Sequence, residues 1–180
     1  MDSLRGHLLI AGSGLFDPNF RRTVVLVGEH NEEGALGVVL NRPTEVVVSE
    51  AVPPLAAIVG PEESLFIGGP VQPQSPVVLA EFDQPDRAGL VVFGSIGFLV
   101  GDAPPDAVDG VVRARVFAGY AGWGPGQLES ELERDDWIVV DAEAADAFAD
   151  DPERLWARVL ARKGGEYALL ATMPPDPSLN

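Results

Sequence analysis

Short apolar segments bounded by glycine, proline or asparagine recur through the first two thirds of the chain, and they restrict it to a strand-rich fold. The predicted strands are Leu8 to Ala11, Thr23 to Val27, Ala35 to Leu40, Val46 to Val48, Leu65 to Ile67, Pro76 to Phe82, Leu90 to Phe93, Phe98 to Val100, Val111 to Tyr120 and Trp137 to Val140. These segments are three to ten residues long and rich in β-branched residues, as strands are.

Helical signals are concentrated in the last third. The predicted helices are Leu55 to Val59, Gln127 to Arg134, Ala142 to Phe148 and Pro152 to Lys163. In the last of these, Asp151 stands at the N-cap, Pro152 at the first helical position, and Gly164 ends the helix. A loop over 102–109 and an extended tail over 173–180 complete the prediction.

The order of strands followed by helices predicts an α+β fold with a mixed, strongly curved sheet, rather than a regular alternation of strands and helices. The 180 residues are 46% hydrophobic, which is enough to build a core. We find neither an internal repeat nor a linker that would separate two cores. Residues 1–180 are therefore predicted to form a single domain.

The charge balance limits the kinds of partner that the protein is expected to bind. Acidic residues number 28 against 12 lysines and arginines, a formal net charge of −16, which disfavours direct nucleic-acid binding and an anionic membrane surface. The chain has no cysteine, which excludes disulfides and thiolate chemistry. No stretch is long and apolar enough for a secretory or membrane-spanning segment, so we expect a cytoplasmic protein.

Polar residues of the first predicted hairpin form one candidate site: Arg22, Glu29, His30, Asn41 and Arg42. The hairpin is expected to bring Glu29, His30, Asn41 and Arg42 together, because both strands join the same loop. A histidine beside a carboxylate and an arginine is compatible with acid–base catalysis. It is equally compatible with hydrogen bonds and an ion pair that only fix the loop.

A glycine-rich segment from Gly119 to Glu129 forms the second candidate. It is expected to turn tightly between a strand and a helix and to present Tyr120, Trp123 and Gln127. These side chains could serve the fold or contact a ligand. No lysine follows the glycines, so the segment does not match a phosphate-binding loop.

Other chemistry finds little support. We predict no metal site: two histidines and no cysteine argue against structural zinc, and no calcium-binding loop motif is present, although a carboxylate site for magnesium or calcium remains an alternative. No dinucleotide fingerprint or nucleophile elbow predicts a cofactor or a catalytic residue. Residues 129–153 contain eleven acidic residues and one arginine. This segment is expected to be a solvated surface or, alternatively, a surface for a basic partner.

Several blocks in fixed order resemble the AlgH/YqgE-like family of small bacterial cytosolic proteins. The blocks are His7 to Ala11, Asp17 to Val25, Glu29-His30, Gly34 to Pro43, Gly68-Gly69-Pro70-Val71, Gly119 to Glu129 with Glu131, and Trp137. The resemblance implies an α+β fold with a bifurcated, partly barrel-like sheet flanked by helices. Members are described as uncharacterised proteins or as transcriptional regulators, and no shared catalytic mechanism accompanies the motifs.

Taken together, the sequence favours a cytosolic binding or regulatory protein without enzymatic activity. Its recognition surface is expected where the first hairpin meets the glycine-rich segment, and its partner is an unidentified protein or small molecule. The alternative is an enzyme that acts on a small anionic substrate, with His30 as acid or base and Arg22 and Arg42 as electrostatic clamps. The oligomeric state is left open.

Overall fold

The structure, a computed structural model, describes residues 2–60, 62–84, 88–99 and 110–173. Ten β-strands occur in these ranges: β1 (His7–Ala11), β2 (Val24–Asn31), β3 (Gly34–Val39), β4 (Pro43–Val47), β5 (Ser64–Ile67), β6 (Val71–Phe82), β7 (Leu90–Phe93), β8 (Ile96–Leu99), β9 (Val111–Trp123) and β10 (Trp137–Asp141). Each lies at or beside a segment that apolar patterning predicts. The predicted loop over 102–109 and the tail from 174 onward lie outside the described residues.

The described residues also form six α-helices: α1 (Val48–Ala51), α2 (Ala56–Val59), α3 (Gln127–Glu133), α4 (Ala144–Ala147), α5 (Leu155–Lys163) and α6 (Glu166–Leu170). The predicted helix that opens at Pro152 begins with a 3₁₀ turn, and its α-helical part starts at Leu155. Helices α1 and α6 have no counterpart in the sequence prediction, and Val48, predicted at the end of a strand, begins α1. Among the described helices, we find none with the length and apolar character needed to cross a membrane.

The ten strands form one sheet whose main path runs β10-β1-β2-β3-β9-β6-β8-β7, with β4 and β5 beside it. Neighbours are antiparallel except β5 and β9, which are parallel, so the sheet is mixed. The α+β fold class is thereby confirmed. The path remains open between β10 and β7 in the described residues, so the barrel-like part is a curved sheet and not a closed barrel.

Strand β9 is where the sheet divides. Its first part pairs with β6 up to Ala118 and, after an irregularity, again at Tyr120 with Val71, and its last residues, from Ala121, pair with β3. Gly119, with φ of +75°, bends the strand between the two parts. A Cβ atom there would lie 2.6 Å from the carbonyl oxygen of Gly69, so the bend requires glycine. The resulting division agrees with the predicted bifurcation.

Both faces of the central strands are buried, which explains their nearly continuous apolar sequences. In β1, Leu8 and Ile10 belong to a core on the side of α4 and α5, whereas Leu9 and Ala11 belong to a second core beneath α3. The indole N–H of Trp156 on α5 donates to the carbonyl of Ala11 at 3.0 Å and ties that helix to the sheet. The alternation of β1 thus separates two layers of packing.

The N-terminal segment spans the gap beside the last strand of the path. The guanidinium of Arg5 donates to the carbonyl of Val91 on β7, with Nε at 3.0 Å, while the amide of Gly6 donates to the carbonyl of Val27 on β2. Residues 5 and 6 therefore connect β7 to β2 through hydrogen bonds outside the strand ladder. This contact occupies part of an edge that could otherwise pair with another chain.

Candidate functional site

His30, near the end of β2, is buried and uses both ring nitrogens within the chain. Its Nδ1 accepts a hydrogen bond from the amide of Leu4 at 3.0 Å, and its Nε2 lies 2.5 Å from Oε1 of Glu129. Because an amide N–H can only donate, Nδ1 carries no proton, and Nε2–H donates to the carboxylate. The ring is therefore neutral in this arrangement, and its single lone pair is occupied.

The pairing of β2, β3 and β9, together with the start of α3, places Glu129 beside His30. His30 pairs with Ala35 on β3, and Ala35 pairs with Trp123 at the end of β9, so the three residues lie side by side across the sheet. The chain then reverses at Gly126, with φ of +76°, and α3 begins. Glu129 lies in the first turn of this helix and faces the histidine.

Gln127 stabilises the same turn. Its Oε1 accepts a hydrogen bond from the amide of Gly124 at 3.0 Å, while the rest of the residue is exposed. The predicted turn is shorter than expected, because β9 continues through Trp123. Gln127 thus stabilises the start of the helix that carries Glu129, and the contact of Glu129 with His30 agrees with the expectation that the hairpin meets the glycine-rich segment.

A cleft of ≈ 480 Å³ opens at this position. We call it the hairpin-tip cleft; its lining residues are Ser3, His30, Asn31, Glu32, Gly126 and Glu129. The pKa of Glu129 is lowered, mainly by the hydrogen bond from His30, so this carboxyl group is ionised at neutral pH. With Glu32 also on the wall, the cleft favours cations over anions.

Asn41 and Arg42 lie at the opposite end of β2, and the expectation that they join Glu29 and His30 was wrong. Asn41 accepts from the amide of Val24 at 2.9 Å and donates to the carbonyl of Arg22 at 2.8 Å. Val24 precedes His30 by six residues, about 20 Å along an extended strand. A hairpin joins its strands at the loop, but Asn41 lies at its open end.

Arg42 binds the backbone of the preceding loop. Its guanidinium donates to the carbonyls of Asn19 and Pro18, both at 2.8 Å, and more weakly to that of Arg21 at 3.2 Å. Burial lowers the pKa of Arg42, and nearby Asp17 acts in the opposite direction. The side chain serves to hold this loop in the described structure.

Arg22 packs against a helix. Its guanidinium lies over the ring of Trp156, 4.3 Å from the centroid, and donates to the carbonyl of Met173 at 2.6 Å. Burial, followed by the neighbouring charge of Arg21, lowers its pKa. A cation above an aromatic ring typically contributes about 0.5–1 kcal/mol. Arg22 therefore connects the start of β2 to α5, away from His30.

Tyr120 and Trp123 lie on opposite faces of β9, because residues three apart on a strand point to opposite sides. Trp123 is buried in the core beneath α3, with its ring centroid 6.3 Å from that of Phe20 and 6.0 Å from that of Trp137. Tyr120 instead packs against the other core and lines a separate apolar groove that includes Leu36. The expectation that both rings share one recognition surface was wrong.

The side chains of Glu29 and His30 point to opposite faces of the sheet. As adjacent residues on β2, the two side chains alternate across the sheet, and Glu29 is half-buried while His30 is 6% exposed. Of the eight predicted site residues, His30 alone lines the hairpin-tip cleft. Glu29 and Gln127 are next to lining residues along the chain, and the remaining five lie elsewhere.

Sequence reasoning missed Ser3 and Glu129 as members of the site. Glu129 belongs to the glycine-rich segment, where its position in the first turn of a helix suggested only a favourable interaction with the helix dipole. Its partner, 99 positions earlier, could be found only from the fold. Ser3 carries no local signal, because its contact is to the carbonyl of His30 through tertiary structure.

The pKa of a second carboxyl group on α3, that of Glu131, is shifted in the opposite direction. Burial raises the pKa of Glu131, and the nearby indole N–H of Trp123 offsets this only in part. Its Oε2 is buried and finds no hydrogen-bond partner among the described residues. The ionised form of Glu131 is therefore incompletely stabilised in the folded protein.

Glu131→Gln is expected to stabilise the protein at neutral pH. A carboxyl whose pKa is raised on folding contributes stability at low pH and loses it as the pH rises through the folded pKa, whereas glutamine does not titrate. Melting temperatures of both proteins between pH 4 and 8 test this: the advantage of the variant should be absent at pH 4 and grow with pH. A constant difference would contradict the assignment.

Comparison with known proteins identifies the family. A profile of the AlgH-like family matches residues 8–168, and the chain belongs to that family. A UPF0301 protein of Streptomyces coelicolor is 48% identical over 187 residues, covering 100% of this chain and 97% of the relative. A UPF0301 protein of Mycobacteroides abscessus is 45% identical over 185 residues, covering 97% and 87%.

Two solved structures are similar to this fold. A crystal structure of a Corynebacterium diphtheriae protein has a TM-score of 0.85 and 30% identity, covering 96% of this chain and 93% of that one. The solution structure of the AlgH protein from Pseudomonas aeruginosa has a TM-score of 0.70 and 32% identity, covering 96% and 95%. The resemblance inferred from the ordered motifs is thereby confirmed.

Proposed function

We propose that this protein is a cytoplasmic binding protein without enzymatic activity, which acts in regulation by capturing a basic segment of another protein at the hairpin-tip cleft. The observation that supports this most directly is the pair formed by His30 and Glu129. The histidine uses both nitrogens to position an ionised carboxylate at the wall of the cleft. A fixed anion of this kind suits recognition of a lysine or arginine side chain.

The enzymatic alternative has less support. It requires His30 and Arg42 to act on one anionic substrate, yet Arg42 is bound to backbone carbonyls at the other end of β2, about 20 Å away along the strand. The lone pair of His30 is occupied by the amide of Leu4, so the ring has no free base. Carboxylates on the cleft wall would also repel an anion.

Charge favours a protein partner over DNA. With a formal net charge of −16, the chain is repelled by phosphates and attracted to basic proteins. Glu32 and Glu129 line the cleft itself and provide the local part of this attraction. A regulatory effect on transcription would then be indirect, through the captured protein.

Binding of a short synthetic peptide rich in lysine and arginine tests the proposal. In fluorescence anisotropy at physiological ionic strength, the double variant Glu32→Gln/Glu129→Gln should bind about tenfold more weakly than the wild type, since each lost charge contact contributes roughly 0.5–1 kcal/mol. A peptide of the same length with glutamate in place of the basic residues should not bind.

The matched control changes the net charge equally but elsewhere. Glu153 and Glu166 are exposed and lie in the helical layer on the other side of the sheet. The double variant Glu153→Gln/Glu166→Gln should retain wild-type affinity. If both double variants weaken binding to the same extent, the attraction comes from overall charge and the cleft has no specific role.

A further inference from the structure

Residues 2–4, which we call the N-terminal strap, cross the tip of the first hairpin before β1 begins. The hydroxyl of Ser3 donates to the carbonyl of His30 at 3.1 Å, and the amide of Leu4 donates to Nδ1 of the same residue at 3.0 Å. The Leu4 side chain packs against the core that contains Trp123. Because Ser3 lines the hairpin-tip cleft, the strap forms part of its wall.

The two ring nitrogens of His30 respond differently to a second proton. That proton must enter at Nδ1, where it would face the amide hydrogen of Leu4, and two donors cannot bond to each other. At Nε2, the charged ring forms a stronger, charge-assisted hydrogen bond to Glu129. Protonation therefore removes the contact from the Leu4 amide while it strengthens the contact to α3; the contact from Ser3 goes to the backbone carbonyl and does not depend on the ring.

We propose that His30 is a pH-dependent latch, and that protonation at Nδ1 breaks the hydrogen bond from Leu4 and so loosens the strap at the wall of the hairpin-tip cleft. The solvent supplies the proton, and no covalent bond other than the new N–H is formed. This inference rests on the proposed function for its consequence, since it makes access to the partner site depend on pH. The latch itself can be tested in the protein without any partner.

Several acidic groups lie near the ring. Glu129 contacts it directly from α3, Glu32 stands on the cleft wall, and Asp2 begins the strap. The nearby cation Arg5, which follows the strap, is directed away to the carbonyl of Val91. Glu131 on α3 also titrates above an ordinary carboxyl, because burial raises its pKa, so the non-titrating His30 variants and not the pH range assign the effect to His30.

The other histidine near the strap has the opposite response. Nδ1 of His7 lies 3.2 Å from the carbonyl of Leu4, and Nε2 lies 3.1 Å from Oδ1 of Asp141. Both neighbours are acceptors, so a second proton strengthens both contacts. Acidification at His7 would hold the strap more firmly, and this residue provides a matched control.

Hydrogen exchange of the Leu4 amide, measured by NMR on the full chain without ligand, tests the latch. The protection factor of the wild type should fall from pH 7.5 to 5.5, because the hydrogen bond from the Leu4 amide requires an unprotonated Nδ1. Imidazole ¹⁵N shifts, recorded on the same samples, report whether His30 carries one proton or two.

Variants separate the latch from general loosening. His30→Asn keeps an oxygen that can accept from Leu4 but cannot gain a proton, so its Leu4 protection should be the same at both pH values. His30→Gln gives a second non-titrating variant in case the first fails to fold. His7→Asn should retain the wild-type loss of protection at pH 5.5.

Three results would overturn the proposal. The first is a His30 ring that is still neutral at pH 5.5. The second is a His30 ring that is charged at pH 5.5 while the protection of the Leu4 amide is unchanged. The third is a non-titrating His30 variant whose Leu4 amide loses protection at pH 5.5 as the wild type does. Binding of the basic peptide at pH 7.5 is a separate measurement. If the strap loosens at low pH but the peptide never binds, the proposed function fails and the latch stands.

Discussion

Gly69→Ala is expected to prevent stable folding, with a loss of about 4 kcal/mol or more in the free energy of unfolding. Gly69 has φ of +155°, and a Cβ atom would lie 2.2 Å from both the carbonyl carbon and the oxygen of Tyr120. Those are backbone atoms of β9 and cannot rotate away as a side chain could. The substitution must therefore separate strands at the point where the sheet divides.

The hydrogen bonds of the neighbouring residue, Gly68, explain why the backbone at Gly69 lies so close to β9. The amide of Gly68 donates to the carbonyl of Ala118 on β9 at 2.9 Å, and its own carbonyl accepts from the amide of Val39 on β3 at 2.8 Å. The backbone at 68–69 thus lies between two strands and bonds to both. A side chain at Gly69 would remove the space that these bonds need.

Urea denaturation followed by far-UV circular dichroism measures the effect, with Gly14→Ala as the control. A Cβ atom at Gly14 would meet no other atom within 4 Å, and the residue lies outside the left-handed region. Its replacement should therefore change stability by no more than about 0.5 kcal/mol. A Gly69→Ala protein with the wild-type unfolding midpoint would show that this close approach is not required.

Asp146→Ala is expected to reduce the free energy of unfolding by about 3 kcal/mol, the lower end of the range for breaking a buried ion pair. The Asp146 side chain is 2% exposed and binds Arg162 through two parallel hydrogen bonds, both 2.9 Å long. It also accepts from the amide of Glu143 at 2.8 Å, which closes the capping box of α4. Alanine would leave both donors without this acceptor.

The exposed pair between Arg154 and Asp151 provides the control for the buried one. Its side chains are 84% and 56% exposed, and Asp151 makes no side-chain capping bond. Asp151→Ala should therefore cost at most about 1 kcal/mol. Thermal and urea unfolding of the two variants, measured together, test the difference. Equal losses in both would show that burial of Asp146 adds nothing.

Local patterns predicted the elements well where the determinant lies within a few residues. Alternation located β9, Asp151-Pro152 located the 3₁₀ turn that leads into α5, and Gly164 located the end of α5. The end of β9 was placed too early, because glycines at 119 and 122 suggested a turn, although pairing with β3 extends the strand to Trp123. Helix α6 was missed because five residues after two glycines give too short a pattern.

The candidate site was predicted only in part, because some of its contacts join residues that are far apart in the sequence. The sequence identified His30 and the glycine-rich segment as meeting, and the contact to Glu129 confirms that these parts of the chain lie together. It misplaced Asn41 and Arg42, because their position depends on which end of a hairpin they occupy. It misplaced Tyr120, because strand alternation separates that residue from Trp123.

Composition and local spacing by themselves determined the α+β class, the acidic net charge and the family motifs, because these depend on residue types and on neighbours along the chain. Only the tertiary structure decided which polar groups meet. Ser3 and Glu129 are separated from His30 by 27 and 99 positions, and pairing of strands brings them to one cleft. Contacts at such separations follow from sheet order and register, which local sequence does not encode.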